Sequence, residues 1–118
     1  MVIMNIEDAR IYCLSKQNAT EDFPFDETTL AFRVENRIFA IVDLDNTKWF
    51  CVKCNADYAV ELRDKYPQIT PAWHMNKRYW NQLDIEQLED KLFYHLVDHS
   101  FEEVLKKLPK KTRIRYGR

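Results

Sequence analysis

Between Leu30 and Cys54 three alternating apolar stretches follow one another with only short polar corners between them. Nothing else in the chain narrows its possible folds as much. Leu30, Phe32 and Val34 alternate with Ala31 and Arg33. Ile38, Ala40, Val42 and Leu44 alternate with Phe39 and Ile41. Phe50, Val52 and Cys54 alternate with Trp49, Cys51 and Lys53. A period of two belongs to a strand with one buried face. The corners, Glu35-Asn36 and Asp45-Asn46, are short, and Asn accepts the left-handed conformation that tight turns need. The three stretches are predicted to form an antiparallel meander.

The flanks supply helices. Ile6, Ala9, Arg10, Cys13 and Leu14 recur at helical spacing within residues 6–16, with Asn5 placed to cap the start. Residues 20–26 break that pattern. Pro24 pushes Phe23 toward an extended conformation, and at least one of Phe23 and Phe25 is expected to plug the end of the core. Asn55 caps a helix through Tyr66 that Pro67 stops. Residues 71–83 read as two short strands turning around Asn76-Lys77. Asp84 is expected to cap a final helix that buries Leu88, Leu92 and Leu96. Ser100-Phe101-Glu102-Glu103 has the form of a capping box, so this helix is expected to break near His99, restart, and end before Pro109. The resulting order is α-β-β-β-α-β-β-α-α. It describes a two-layer α+β domain with an antiparallel sheet of about five strands. Residues 1–118 form a single domain by size, with a basic C-terminal tail at 106–118.

Composition excludes more than it selects. A chain 46% hydrophobic and 14% aromatic has material for a core without a disulfide or metal staple. Its one glycine, Gly117, leaves no phosphate-cradling loop, dinucleotide fingerprint or nucleophile elbow to be written. Three cysteines, Cys13, Cys51 and Cys54, with no apparent secretory leader favour a reducing, cytoplasmic location. No run approaches a membrane span. The net charge of −1 conceals an asymmetry: Lys106, Lys107, Lys110, Lys111, Arg113, Arg115 and Arg118 stand in the last thirteen residues without an acid. Without those seven, the chain has 11 basic against 19 acidic side chains, a balance of −8. A basic tail on an acidic body suits either a nucleic-acid contact or a solvated segment complementing a helix C-terminus.

Four constellations invite chemistry. Cys51-Val52-Lys53-Cys54 has metal-ligand spacing, but strand residues three apart point to opposite faces, so two small buried hydrophobes are expected. His95 and His99 lie one helical turn apart without the Glu of a zincin or an obvious third ligand, so no metal is expected. Glu21, Asp22 and Asp26 read as turn-forming and capping acids rather than an acid–base pair. Trp73, Tyr79 and Trp80 offer either base-stacking platforms, with Lys77 and Arg78 meeting phosphates, or ordinary packing. No nucleophile, base or metal set is assembled, so neither enzymatic activity nor a cofactor is expected.

Several motifs in this order resemble the MmcQ/YjbR family of small bacterial proteins over nearly the whole chain. They are Thr20-Glu21-Asp22-Phe23-Pro24-Phe25, Lys53-Cys54, Arg63, Tyr66-Pro67, His74-Met75-Asn76-Lys77 with Trp80-Asn81, Asp98-His99-Ser100 and Leu108-Pro109-Lys110-Lys111. The family commonly has His where Tyr79 stands, and often a glycine before the Thr-Glu motif. The resemblance implies an α+β fold like that of the secretion chaperones. It also implies DNA binding through a double-wing arrangement of hairpins, and the chain is expected to be a monomeric, non-enzymatic protein that contacts double-stranded DNA in that way. The phosphate-contacting residues expected on that reading are Lys77, Arg78, Lys110, Lys111, Arg113 and Arg115, giving weak, nonspecific binding. The alternative is a protein-interaction module with no nucleic-acid role.

Overall fold

Asn5 opens the fold: its side-chain oxygen accepts the Asp8 amide at 2.9 Å and caps α1 (Ile6–Leu14) in the computed structural model, which describes residues 4–72 and 75–118. Four strands follow: β1 (Thr20–Asp22), β2 (Thr29–Val34), β3 (Arg37–Asp43) and β4 (Trp49–Lys53). Then come α2 (Ala56–Lys65), β5 (Ile69–Pro71), β6 (Trp80–Asp84), α3 (Asp90–Lys106), α4 (Lys110–Arg113) and a 3₁₀ turn at Ile114–Tyr116. The sheet is antiparallel throughout, in the order β1-β2-β3-β4-β6-β5. Among the described residues it has six strands rather than about five. The extra one, β1, carries no alternating pattern and exists through its pairing with β2. Arg10 grips Glu21 with Nε at 2.8 Å, and Arg33 Nε meets Asp22 at 2.9 Å.

The meander forms with the expected register. Val34 pairs with Arg37 across the two-residue Glu35-Asn36 turn, where both residues have positive φ, 49° and 64°. This is the type I′ geometry that matches strand twist. The second corner is longer and spans residues 44–48. Leu30, Phe32, Ala40, Val42, Phe50, Val52 and Leu83 share one face under α3, which buries Phe93, Leu96, Val97, Phe101, Val104 and Leu105. Burial of these side chains, at about 1.5–3 kcal/mol each, is the main source of stability. A register shift between Phe32 and Arg33 leaves Phe39 unpaired, and Phe39 meets Phe101 edge-on at 5.4 Å.

Three expectations are corrected. Phe23 and Phe25 do not plug the core: they are 48% and 66% exposed. The chain leaves the sheet at Asp22, and Met4, Leu30, Ile85 and Leu88 belong to the buried cluster instead. Asp84 ends β6 rather than capping a helix, and its carboxylate accepts the Glu86 amide at 3.1 Å; α3 begins at Asp90 after Glu89. Finally, α3 does not break at Ser100. That hydroxyl, fully buried, donates to the Phe39 carbonyl at 2.5 Å and accepts the Lys53 amide at 2.9 Å. The β3–β4 ladder runs through Ala40↔Val52, so Phe39 and Lys53 would be the next rung; Ser100 stands in for it. Beyond Pro109 the basic segment folds back. Tyr116 is buried near Phe101 and its hydroxyl accepts from Asn18 Nδ2 at 3.0 Å.

Candidate nucleic-acid interface

Strand direction sorts the charges. At one end of the sheet β2 turns into β3, β4 runs out toward α2, and β5 turns into β6. The C-terminus of α3 lies at the same end, because Ser100 bridges Phe39 and Lys53 there and Lys107 acts electrostatically on Lys53. This end carries Arg37, Lys53, Lys77, Arg78, Lys107, Lys110, Lys111, Arg113, Arg115 and Arg118, with Glu35, Asp57, Glu102 and Glu103 among them. The connections at the other end hold Asp26, Glu27, Asp45, Glu86 and Glu89, with Lys48 as their one cation. The strand termini there add Asp22, Asp43 and Asp84.

The β5–β6 turn is anchored from below. Arg63 Nη1 donates to the Lys77 carbonyl and to Asn81 Oδ1, each at 3.0 Å, and buried Asn81 donates to the Ala59 carbonyl at 3.3 Å. Asn76 Oδ1 accepts the Arg78 amide at 3.1 Å, and Tyr79 O accepts the Cys54 amide at 2.7 Å. The turn therefore presents Lys77 and Arg78 from a fixed backbone. The Arg78 guanidinium lies 5.6 Å over the exposed Tyr79 ring, while Trp80 is half-buried opposite Lys53. Trp73 lies outside the described residues. Arg63 and Asn81 position this site without touching a ligand. Both stand in the motifs that carry the family resemblance, but spacing gives no signal of their role, which each gains only through contacts across the fold.

The C-terminal residues divide by circumstance. Lys110 and Lys111 are exposed on α4. Arg115 pairs with Glu35 at 3.6 Å, tying the segment to the β2–β3 turn, and Arg118 pairs with Glu102. Arg113 is half-buried, its Nε without a partner among the described residues. Lys53 lies between the two groups. Burial, then Lys107 and Arg37, lower its pKa, as expected for an ammonium crowded by like charges.

The other constellations are spent on structure. Glu21 and Asp22 hold arginines, and Asp26 accepts the Thr28 and Thr29 amides at 2.9 and 2.6 Å. His99 Nε2 accepts the Asn55 amide at 3.2 Å, and the Tyr58 hydroxyl lies 3.2 Å from His95 Nε2. Burial pushes the Cys51 thiol up to about 11 and the Cys54 thiol up to about 12, so both stay protonated at neutral pH. Among the described residues, no three His, Cys, Asp or Glu side chains converge on a metal position, and no helix is long and apolar enough to cross a membrane.

A family model for YjbR matches residues 14–103. The uncharacterised protein YjbR of Escherichia coli (strain K12) is 29% identical over 112 residues, which cover 93% of this chain and 95% of that protein. The crystal structure of a Deinococcus radiodurans protein with a DUF419 domain superposes with a TM-score of 0.88 at 29% identity, covering 98% of this chain and 89% of the other. A Pseudomonas syringae protein superposes with a TM-score of 0.73 at 25% identity, over 85% and 98% of the two chains.

Proposed function

The chain belongs to the YjbR family, and from that premise we propose that it is a monomeric, non-enzymatic protein that contacts double-stranded DNA through the basic end of its sheet. The observation that carries this reading is the separation of charge along the strands. Cations from the β5–β6 turn, the start of β3 and the C-terminal segment outnumber the acids at one end, and acids outnumber Lys48 in the connections at the other. An acidic body is poor for wrapping DNA, but a polarised one orients itself in the phosphate field and presents its basic end. The β2–β3 and β5–β6 turns lie three strand spacings apart, about 14 Å, comparable to a major groove of about 12 Å. The contact is to phosphate. Among the described residues no helix at this end has a base-reading composition, and Lys and Arg on turns supply charge rather than sequence readout.

Binding is accordingly weak and nonspecific, with a dissociation constant of about 10⁻⁶ M or weaker at physiological salt. Fluorescence anisotropy with a labelled duplex across a salt series tests it. The Lys77→Ala/Arg78→Ala and Lys110→Ala/Lys111→Ala variants are each expected to weaken binding and flatten the salt slope by about 1–2, whereas Lys48→Ala at the acidic end leaves both unchanged. No binding at low salt, or variants identical to the parent, sinks the reading. A protein-interaction module has less support. The two edge strands, β1 and β5, are three residues each, short templates for an added strand.

A further inference from the structure

The sheet face away from α3 holds a trough of about 530 Å³, within the range of small-molecule sites. Its floor is a cross-strand row of Ile41, Cys51 and Gln82; Trp49, Phe25 and Met75 wall it. Phe25 is 66% exposed and sits just before a turn that is pinned at Asp26. The neighbouring Asp26 carboxylate accepts two backbone amides and the Thr29 hydroxyl, bonds that hold its pKa below the ordinary carboxylate value. A large ring at the rim of an apolar trough, next to a pinned turn, is a wall that a ligand can order at small entropic cost.

The polar groups around this floor choose the ligand. Asp43 is the one charged side chain lining the trough among the described residues. Its Oδ1 accepts the Asp45 amide at 2.9 Å, and its Oδ2 makes no hydrogen bond among them. The Cys51 thiol on the floor stays protonated and adds no charge. Asp26, Asp45 and Asp84 surround this end of the sheet, and Lys48 is already paired with Asp84 at 3.5 Å. The Lys48 ammonium also lies 5.3 Å over the Trp49 ring, so the indole already faces one cation and a ligand's ammonium would lean chiefly on Asp43.

We propose that the trough binds a small organic cation, its ammonium group between Asp43 and Trp49 and its apolar or aromatic body over Ile41 between Phe25 and Met75. This site is distinct from the basic end and stands whether or not that end binds DNA.

The test uses three probes sharing one body: 4-phenylbutylammonium, 4-phenylbutanol and 4-phenylbutyrate. Each is titrated into the full chain while the Trp49 indole, Ile41 methyl and Met75 methyl NMR signals are followed. The ammonium probe is expected to move these signals and to bind about tenfold more tightly than the carboxylate, from an ion pair and a cation–π contact together. Asp43→Asn, which keeps the Oδ1 acceptor and is expected to leave the urea midpoint unchanged, should bring the ammonium probe to the level of the alcohol. Equal or tighter carboxylate binding overturns the proposal. So does a preference that survives Asp43→Asn, a set of shifts confined to other faces, or no shift by any probe at about 10 mM. Binding of a basic peptide where all three probes fail overturns it too.

Discussion

Replacing Ser100 with Ala removes one hydroxyl and leaves two backbone groups unpaired, the buried Phe39 carbonyl and the part-buried Lys53 amide. Each orphaned group costs about 1–3 kcal/mol. Alanine returns a few tenths of a kcal/mol as the better helix former. The pocket is closed, since Ser100 has no exposed surface, so water has little room to restore the bonds. The net loss is therefore about 1.5–5.5 kcal/mol, a large share of the roughly 5–15 kcal/mol typical of a domain. In urea unfolding the midpoint should fall by about 1–3 M with little change in slope. Native-state hydrogen exchange gives a local check. The Lys53 amide, protected in the parent by the hydroxyl alone, should exchange far faster in the variant while Val52 stays protected. A loss below about 1 kcal/mol, or an unchanged Lys53 amide, would show that the hydroxyl does not replace a rung, and the account of the β3–β4 junction would be wrong.

Three further outcomes follow from the same geometry. Phe25→Ala should cost less than about 1 kcal/mol because the ring is mostly exposed, whereas Phe50→Ala, buried between Phe32 and Phe93, should cost about 3–5 kcal/mol in the same urea assay. Burial lowers the His99 pKa, with Lys106 and His95 lowering it further and Glu103 opposing them. The unfolded chain therefore binds the proton more readily, so this contribution to stability is present above about pH 6.5 and is lost as pH falls below it. Stability measured at pH 7 and pH 5 should differ less in His99→Gln than in the parent. Arg63→Ala strips buried Asn81 and the Lys77 carbonyl of their donor, and should cost about 1–3 kcal/mol in urea while loosening the β5–β6 turn.

The elements legible in the sequence are those whose apolar period is set by one large partner. β2, β3 and β4 alternate because α3 covers one face, and α2 runs between Asn55 and Tyr66 because a cap and a proline bracket it. What escapes is whatever depends on a distant partner. β1 has no pattern of its own and needs Arg10 and Arg33 to hold its acids. Ser100 satisfies the local form of a capping box, but β3 and β4 compete for its hydroxyl, and Glu102 and Glu103 turn to Arg118 and Lys106. The phenylalanines of residues 23–25 look like core by composition. Only the edge position of β1 reveals that the loop passes outside. Of the candidate site, Lys77 and Arg78 stand out as a basic turn, while Arg63 and Asn81, which hold that turn, take their roles from contacts 14 and 18 residues away.

Antiparallel topology explains why a chain of net charge −1 has such an uneven surface. In a meander, alternate connections return to the same end, so two interleaved sets of loops face opposite directions. Here the set holding residues 23–28, 44–48 and 85–89 is acidic. The set holding the β5–β6 turn and the segment after α3 is basic. The acidic set sums to −4 and the basic set to +8, and the rest of the chain, at −5, brings the net to −1; folded, the two sets stand one strand length apart, about 17–20 Å, beyond the ~8 Å over which salt screens them. The basic end therefore acts on a polyanion as a cationic surface, and the Asp43 trough acts on small ions as an anionic one. The two sites make opposite demands on salt and charge. Neutralising Lys77 and Arg78 should leave cation binding in the trough intact, and Asp43→Asn should leave duplex binding intact. A variant at either end that moves both would mean that the ends communicate through the sheet.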